Sequence, residues 1–176
     1  MKKFVHLHTH THYSLLDGLS KPSEIIKFAK QDEMPAIAIT DHGNLHGAIE
    51  FFKIAKKEGV KPVIGVEAYM ANNSRFDKRP NVDNQRFHLS LLAKNKEGYQ
   101  NLVKAVTLSN LEGYYYKPRM DKELLRKHSK GLICLSGCLG GELSQALWNK
   151  DHERAKEIAL EYQDIFGKEN YFIEIM

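Results

Sequence analysis

Residues 36–70 read AIAITDHGNLHGAIEFFKIAKKEGVKPVIGVEAYM, and the predicted fold is built outward from this stretch. Ala36 to Thr40 is a continuous apolar run, which is typical of a buried parallel strand. Leu45 to Glu58 has helical periodicity and stops at Gly59, a residue type that commonly ends helices. Pro62 to Met70 is predicted to form the next strand. A strand, a helix and a second strand in this order predict a parallel sheet covered by helices, in an α/β fold.

The same alternation of strands and helices extends over the rest of the chain. Phe4 to Thr9 alternates as a strand, and Ser20 to Gln31 is predicted to be a helix capped by Ser20 or Ser23. Further strands are predicted at 86–93, 131–135 and 171–175, and further helices at 97–110, 122–128, 141–149 and 152–166. Residues 72–85 are polar without periodicity, so we expect an exposed, mobile excursion there. Residues 111–120 are expected to form a second long connection.

Two features favour a (β/α) barrel over an open sheet. No glycine-rich phosphate loop follows the first strand, and polar residues capable of chemistry fall at the carboxyl ends of several strands. A complete barrel usually needs about 250 residues. This chain has 176 residues, so we expect one domain that is the N-terminal piece of a longer protein.

The composition excludes several classes of protein. Hydrophobic residues make up 42% and charged residues 27%, which is ordinary for a globular domain and argues against disorder. No apolar run is long enough to cross a bilayer, and the N-terminus lacks the apolar segment of a secretion signal, so we expect a cytoplasmic protein. Cys134 and Cys138 are therefore expected to be reduced. The net charge of +4 is too small to indicate nucleic-acid binding, but it would not oppose approach to phosphates.

The opening segment, residues 6–12 with the sequence HLHTHTH, carries the first candidate metal ligands. Alternate residues of a strand point to one face, so its four histidines could share a face. A strand rises about 3.3 Å per residue, so only one adjacent pair can reach the same ion. His8 and His10 are the best-placed pair, at the end of the predicted strand. The alternative is a scatter of surface histidines, which the tight alternation and the nearby Asp17 disfavour.

Metal-capable side chains also occupy or follow the later strands. Asp41 and His42 directly follow the most apolar strand; Asp41 could instead cap the next helix, and it could also orient His42. Glu67 lies in an apolar strand, where a carboxylate is costly unless it is paired or bound to a metal. His88 taken alone could be a core histidine, and Cys138 a buried thiol. The metal hypothesis rests on convergence, because five successive strands each present such a side chain.

The mixture of imidazole, carboxylate and thiolate ligands indicates which ions and which chemistry to expect. It suits Zn²⁺, with Mn²⁺, Fe or Mg²⁺ as alternatives. Several such ions close together suit phosphoester hydrolysis, because one generates hydroxide at neutral pH while others hold phosphoryl and leaving-group oxygens. The residues therefore predict a metal-dependent phosphoesterase.

The motifs LHTHT followed by DG, then TDHG, then GVE resemble the polymerase and histidinol phosphatase (PHP) superfamily. Longer stretches are similar to the N-terminal PHP domains of bacterial DNA polymerase III alpha subunits. These stretches are YSLLDGLSKPSEII, residues 36–70 quoted above, LLAKNKEGYQNLVKAVTLSN, YYKPRMD and LSGCLGGEL. They cover nearly the whole chain and include many residues that are not candidate ligands.

The resemblance implies a distorted (β/α)7 barrel that is truncated at its C-terminal end, with residues 1–176 forming a PHP domain. It also implies up to three metal ions in the complete domain. The residues that match ligands are His8, His10 and Glu67 for the first ion, Glu67, His88 and Cys138 for the second, and Asp17 and His42 for the third. The family completes the first and third sites with a late Asp-x-His motif, which we expect to lie beyond this chain.

The resemblance leaves three functional hypotheses. The first is a domain of a replicative polymerase with metal-dependent 3′–5′ exonuclease (proofreading) activity on DNA, in contact with the other polymerase domains. The polymerase's own catalytic carboxylates would lie in a separate palm domain, which this sequence lacks. The second is a structural module that docks a separate proofreading subunit. The third is a free-standing phosphatase for a small phosphate ester, which the polymerase-like stretches disfavour.

Lys117 and Arg119 follow a run of three tyrosines, Tyr114 to Tyr116. Aromatic and basic residues together suit single-stranded DNA. A surface loop that packs against its own barrel is an equally good interpretation of this segment. These residues are therefore not predicted to be catalytic.

Overall fold

The computed structural model describes residues 4–175. Its helices are α1 (Pro22–Gln31), α2 (Ala48–Glu58), α3 (Lys96–Leu111), α4 (Lys122–His128), α5 (Glu142–Trp148) and α6 (His152–Phe166). Its strands are β1 (Ala36–Ile39), β2 (Lys61–Ala71), β3 (Arg86–Ala93), β4 (Tyr114–Tyr115), β5 (Lys117–Met120), β6 (Leu132–Leu135) and β7 (Tyr171–Phe172). In residues 4–175, no helix combines the length and the apolar character that spanning a membrane requires.

Every predicted helix is present, and the helix boundaries follow from local chemistry. The N-cap of α1 is Lys21 rather than Ser20 or Ser23, and the backbone N–H of Lys21 donates to the Glu24 carboxylate at 2.9 Å. Helix α2 ends where Gly59 adopts a left-handed conformation with φ of 77°, as its glycine predicted.

The sheet is mixed rather than parallel. Its strand order is β4–β5–β2–β3–β6–β7, and β1 pairs with the first residues of β2. The pairs β1–β2, β2–β5 and β6–β7 are parallel, whereas β3 runs antiparallel to β2 and β6. The expectation of a parallel sheet is therefore wrong for β3. A parallel return to the sheet needs a long crossover, usually a helix, and residues 72–85 contain no helix.

Alternation along β2 and β3 separates the two faces of this sheet. Val66, Met70 and Leu91 lie on the face that helices α3 to α6 cover, within the main apolar core. Each such buried side chain stabilises the fold by roughly 1.5–3 kcal/mol. Glu67 and His88 alternate with these core residues and therefore lie on the opposite, concave face. The core thus forces the polar residues of β2 and β3 to the same side of the sheet.

The opening segment lies beside β1 but does not form the strand predicted for Phe4 to Thr9. Its carbonyl groups pair with β1, since Ala38 N donates to His6 O at 2.9 Å and Thr40 N donates to Thr9 O at 2.8 Å. The N–H of Thr9 donates instead to the side-chain Oγ1 of Thr40 at 2.8 Å. A side-chain oxygen thus replaces a backbone partner, and the regular ladder is interrupted.

The predicted excursion at 72–85 is anchored to the barrel rather than exposed throughout. Arg75 and Asp83 within it are buried. Arg119 of β5 is also buried, and its guanidinium donates to the carbonyl oxygens of Arg75, Asp77 and Asp83. The excursion is polar because its polar groups bind one another and β5, so its composition reflects internal pairing as well as exposure.

The second predicted connection, 111–120, contains the hairpin of β4 and β5. Tyr114 pairs with Pro118, and Tyr115 pairs with Lys117. The sequence did not predict these strands because β4 has two residues and β5 contains a proline, so neither shows a pattern of alternation.

Glu174, which follows β7, joins the C-terminal end of the described chain to the opening segment beside β1. Nδ1 of His8 lies 2.8 Å from its Oε1, and the backbone N–H of Glu174 donates to Ser136 Oγ at 2.9 Å. Strand β7 ends at Phe172, before the predicted end at Ile175. The result is a barrel-like α/β fold, as predicted, with its polar residues collected at one end of the concave face.

Candidate metal centre

One carboxylate, that of Glu67, lies at the middle of the polar end of the concave face. Its residue is 1% exposed, and four imidazoles surround it. His8 Nε2 and His88 Nδ1 lie 3.4 Å and 3.0 Å from Oε1. His10 Nε2 and His42 Nδ1 lie 3.1 Å and 2.8 Å from Oε2. Both carboxylate oxygens therefore face two imidazole nitrogens each.

Different elements deliver these side chains to one point. The opening segment carries His8 and His10. The segment that follows β1 carries His42, which forms a parallel bridge with Glu67 of β2. Gly43 follows with φ of 62°, and a Cβ there would lie 2.9 Å from Cγ of Pro118. Glycine is therefore required for the chain to turn away directly after His42.

Cys138 reaches the same carboxylate from the turn after β6. Its Sγ lies 3.5 Å from Glu67 Oε1 and 3.5 Å from His88 Nδ1. Gly137 has φ of 82° and packs so closely on β3 that a Cβ would lie 2.7 Å from the His88 carbonyl oxygen. Cys134, by contrast, lies in the helix-covered core, where burial raises the pKa of its thiol. Only the second of the two cysteines faces the centre.

Asp17 approaches from the outer side of His42. The distance from His42 Nε2 to Asp17 Oδ2 is 3.0 Å, and the Asp17 side chain is 55% exposed. The rings of His10 and His42 are stacked, with centroids 4.3 Å apart. His42 thus lies between a buried carboxylate and an exposed one, and each of its ring nitrogens faces one of them.

The other two histidines of the opening segment lie outside this cluster. His6 is exposed and packs edge-on against Phe4, and the ring of His12 lies against Tyr13. One adjacent pair of this segment, His8 and His10, therefore reaches Glu67, as predicted, although the segment does not form the predicted strand.

Asp41 acts on His10 rather than on the ring of His42. Its buried carboxylate accepts hydrogen bonds from Thr11 N at 2.6 Å, Thr11 Oγ1 at 2.8 Å and Ser14 Oγ at 2.7 Å. Ser14 Oγ lies 3.0 Å from His10 Nδ1 and accepts the backbone N–H of His42 at 3.1 Å. The predicted contact between Asp41 and the His42 ring is replaced by a chain through Ser14. The N-cap of α2 is Gly47, so Asp41 is not a helix cap either.

Sequence reasoning missed Glu174. Its carboxylate holds Nδ1 of His8, while Nε2 of the same ring faces Glu67. Both side chains are largely buried, at 7% and 10% exposure. The signal that could have identified it is the one that identified Glu67, namely a carboxylate inside an otherwise apolar strand pattern, YFIEI.

The electrostatics of the centre favour positive charge around Glu67. Burial alone would raise the pKa of Glu67, but the four imidazoles beside its carboxylate outweigh burial and hold that pKa well below its usual range. Burial likewise lowers the pKa of His8, yet the Glu174 and Glu67 carboxylates raise it to about 10. The hydrogen bond with Cys138 and the Glu67 carboxylate raise the pKa of His88 to about 9. The carboxylates thus stabilise cations here, whether protons or metal ions.

The residues fit a multinuclear metal site. His42 Nδ1 and Glu67 Oε2 are both buried without a well-aligned hydrogen-bond partner, which is costly unless a cation completes them. Within residues 4–175, three groups place their ligand atoms within 4.8 Å of one another: His8, His10 and Glu67; His10, Asp17 and His42; and His42, Glu67 and His88. Imidazole and carboxylate ligands at overlapping positions suit divalent ions that act together on a phosphoester.

Comparison with known proteins shows which proteins this chain is similar to. A family model described as "PHP domain" matches residues 6–176. The chain is 51% identical over 170 residues to DNA polymerase III subunit alpha of Borreliella burgdorferi, covering 96% of this chain and 15% of that protein. It is 51% identical over 177 residues to the same subunit of Thermus aquaticus, covering 98% of this chain and 14% of that protein.

The chain therefore spans about 15% of the length of the curated relatives it matches. Among solved structures, an amidohydrolase from Chromobacterium violaceum with bound sulfate aligns with a TM-score of 0.43 and 21% identity, over 60% of this chain and 33% of that one. The match to the family model includes every residue that surrounds Glu67 and all the elements that carry them. The chain belongs to the PHP domain family.

Proposed function

We propose that this chain is a metal-dependent phosphoesterase domain of a bacterial DNA polymerase III alpha subunit, and that it removes nucleotides from the 3′ end of DNA. The observation that carries the proposal is the buried Glu67 carboxylate with four imidazoles within 3.4 Å of it. The identity of about half of its residues to alpha subunits supports the polymerase context.

In this proposal the ligands divide among as many as three ions. His8, His10 and Glu67 would hold the first, Glu67, His88 and Cys138 the second, and Asp17 and His42 the third, as the resemblance to the PHP family implies. The donor set suits Zn²⁺ or Mn²⁺, with Fe and Mg²⁺ as alternatives. A divalent ion bound there supplies a Lewis acid for the phosphoester and acidifies a water.

The contribution of the protein's own residues is to hold the ligands in fixed orientations. Glu174 binds Nδ1 of His8, and Ser14 lies beside Nδ1 of His10, so each ring presents Nε2 toward Glu67. Groups that are already oriented need no reorganisation when charge develops on a phosphoryl oxygen.

The test is degradation of a DNA primer with a mismatched 3′ end by the natural full-length protein. The reaction contains added Mn²⁺ or Zn²⁺ and none of the nucleotide substrates for DNA synthesis. We expect metal-dependent release of nucleotides that a chelator abolishes. His10→Ala should abolish release and leave DNA synthesis intact, whereas His6→Ala, an exposed histidine of the same segment, should leave both unchanged. Equal degradation by His10→Ala and the unmodified protein would refute the assignment.

The same experiment separates the second hypothesis, a scaffold that docks a separate proofreading subunit. A protein that binds metal but releases no nucleotides, and that captures such a subunit after metal removal, would favour the scaffold. In either case the proposed surroundings are the other polymerase domains, DNA and the bacterial cytoplasm.

A further inference from the structure

Two cations stand at the rim of the metal centre, outside the ligand set. Arg86 begins β3 and Lys117 begins β5, the two strands that flank the second half of β2. The guanidinium carbon of Arg86 and Nζ of Lys117 each lie 5.5 Å from the ring centroid of Tyr69. One aromatic ring of β2 therefore holds a cation from each neighbouring strand.

Tyr69 links these cations directly to the imidazoles. Its ring is stacked on His42, with centroids 5.6 Å apart and planes inclined by 10°, and it meets His88 at 5.4 Å and 68°. Register pairs Tyr69 with His88 across β2 and β3, and Arg86 is two residues from His88 on the same face. The cations are thus one side chain away from two predicted metal ligands.

Neither cation has an ion-pair partner in the part of the chain that the structure describes. Among residues 4–175, no carboxylate lies within 4 Å of the charged group of Arg86 or Lys117. Arg86 Nη1 donates to the carbonyl oxygen of Asn84 at 3.1 Å. Arg86 and Lys117 are both half-buried. Arg119 differs because it is buried and its guanidinium donates hydrogen bonds to backbone carbonyl groups. Of the two basic residues noted after the tyrosine run, only Lys117 is available to a ligand.

We propose that Arg86 and Lys117 form an anion-binding rim that holds a phosphate group of the substrate beside the metal centre, with Tyr69 fixing both cations. Guanidinium and ammonium groups bind phosphate through charge-assisted hydrogen bonds, and a partly buried, unpaired pair does so with less competition from water. The inference rests on the proposed function, because that function supplies the reaction in which the phosphate would be held. Binding of phosphate to the rim can be measured without that reaction.

The experiment is a calorimetric titration of the full-length protein with thymidine 5′-monophosphate and, separately, with the trinucleotide pTpTpT. Each titration is done with and without Zn²⁺. We expect the double variant Arg86→Ala/Lys117→Ala to weaken monophosphate binding about tenfold or more, as the loss of charge-assisted hydrogen bonds implies. Lys156→Ala on α6, an exposed lysine on the helix that covers the other sheet face, should bind as the unmodified protein does. Circular dichroism of each variant checks that the fold is retained.

The outcomes distinguish this proposal from the proposed function. Binding that is absent in the unmodified protein, or unchanged in the double variant, overturns the rim even if the protein hydrolyses DNA. Binding that depends on Arg86 and Lys117 supports the rim even if no metal yields hydrolysis, and the proposed function then fails alone. A rim that binds the trinucleotide more tightly serves a nucleic-acid strand, whereas equal affinities identify a small phosphate ester as its ligand.

Discussion

Two clusters of charged side chains, each containing a buried carboxylate, are built on opposite principles. The arginine cluster consists of Arg75, Glu112, Asp121 and Glu123; the imidazole cluster consists of His8, His10, His42, Glu67 and His88. In the arginine cluster, Arg75 donates to Asp121 at 2.9 Å and to Glu112 at 2.7 Å. Asp121 also accepts the N–H of Leu124 at 2.9 Å and thereby caps α4. Every strong partner there is supplied by the chain.

The imidazole cluster is incomplete by the same standard. Its one central carboxylate cannot accept a well-aligned hydrogen bond from each of four rings, and both His42 Nδ1 and Glu67 Oε2 remain without one. A fully satisfied buried network stabilises one conformation, whereas a partly satisfied one is costly unless something else binds. The difference indicates that the arginine cluster serves the fold and that the imidazole cluster serves a ligand.

The largest expected effect is on the arginine cluster. Arg75→Met should lower the free energy of unfolding by about 3–5 kcal/mol, because it leaves the buried Asp121 carboxylate without its cation. Metal affinity of the folded protein should not change. Urea unfolding measures the first quantity. Arg126→Met is the matched control, since its partner Asp164 is exposed, and it should cost less than about 1 kcal/mol. A small effect of Arg75→Met would break the comparison.

The imidazole cluster should respond in the opposite way. Glu67→Gln keeps the side-chain shape and removes the shared charge, so we expect metal affinity to fall by about 100-fold or more, roughly one ligand's share of a zinc site. The accompanying loss of stability in the metal-free protein should be smaller than for Arg75→Met. Competition with a coloured chelator measures affinity. Unchanged affinity would remove Glu67 from the ligand set.

A smaller effect on metal affinity is expected at Glu174, which contacts His8 on the ring nitrogen that faces away from Glu67. Glu174→Gln retains a side-chain oxygen near His8 Nδ1 but loses the charge, and metal affinity should fall about 10-fold, at the low end for the partners that orient metal ligands. Glu169→Gln, an exposed glutamate near the end of α6, should have no effect in the same chelator assay. An effect equal to that of Glu67→Gln would instead make Glu174 a ligand.

The smallest effect concerns Asp83, in the excursion that carries Arg75. Its hydrogen bond with Arg79 lowers the pKa of Asp83 to about 2 from its usual 3.8. A lowered pKa means that the ionised carboxylate stabilises the fold above pH 3.8 and that this stabilisation is lost as the pH falls toward 2. Asp83→Asn should therefore be less stable than the unmodified protein at pH 6, and the two urea midpoints should converge near pH 2. Midpoints that stay apart at low pH would assign the effect to packing. Arg79 is 60% exposed, so solvent keeps the effect small.

Much of the candidate site was predictable because its signals are local. Strand alternation in the opening segment identifies His8 and His10, and the position after an apolar strand identifies His42. Glu67 was identified by the cost of a carboxylate in an apolar strand. The structure brings these residues together with Asp17, His88 and Cys138, although their roles as metal ligands remain a proposal.

The parts that were missed depend on contacts between distant residues. The role of Glu174 requires a partner 166 residues away. Asp41 reaches His10 only through Ser14. Lys117 and Arg119 are two residues apart, yet Arg119 is buried and Lys117 is half-buried beside the candidate site. Pairwise spacing along a strand cannot distinguish a cation that faces a site from one that anchors a loop.

The sequence by itself determined the α/β class, the helices, most strands and the set of metal-capable side chains, because periodicity and chain punctuation are properties of neighbouring residues. Only the tertiary structure decided that β3 runs antiparallel, that residues 72–85 are anchored through Arg75 and Arg119, and that His8 meets Glu174. The physical reason is that strand direction, ion pairing and burial of polar groups depend on which distant surfaces meet when the apolar face of the sheet is covered.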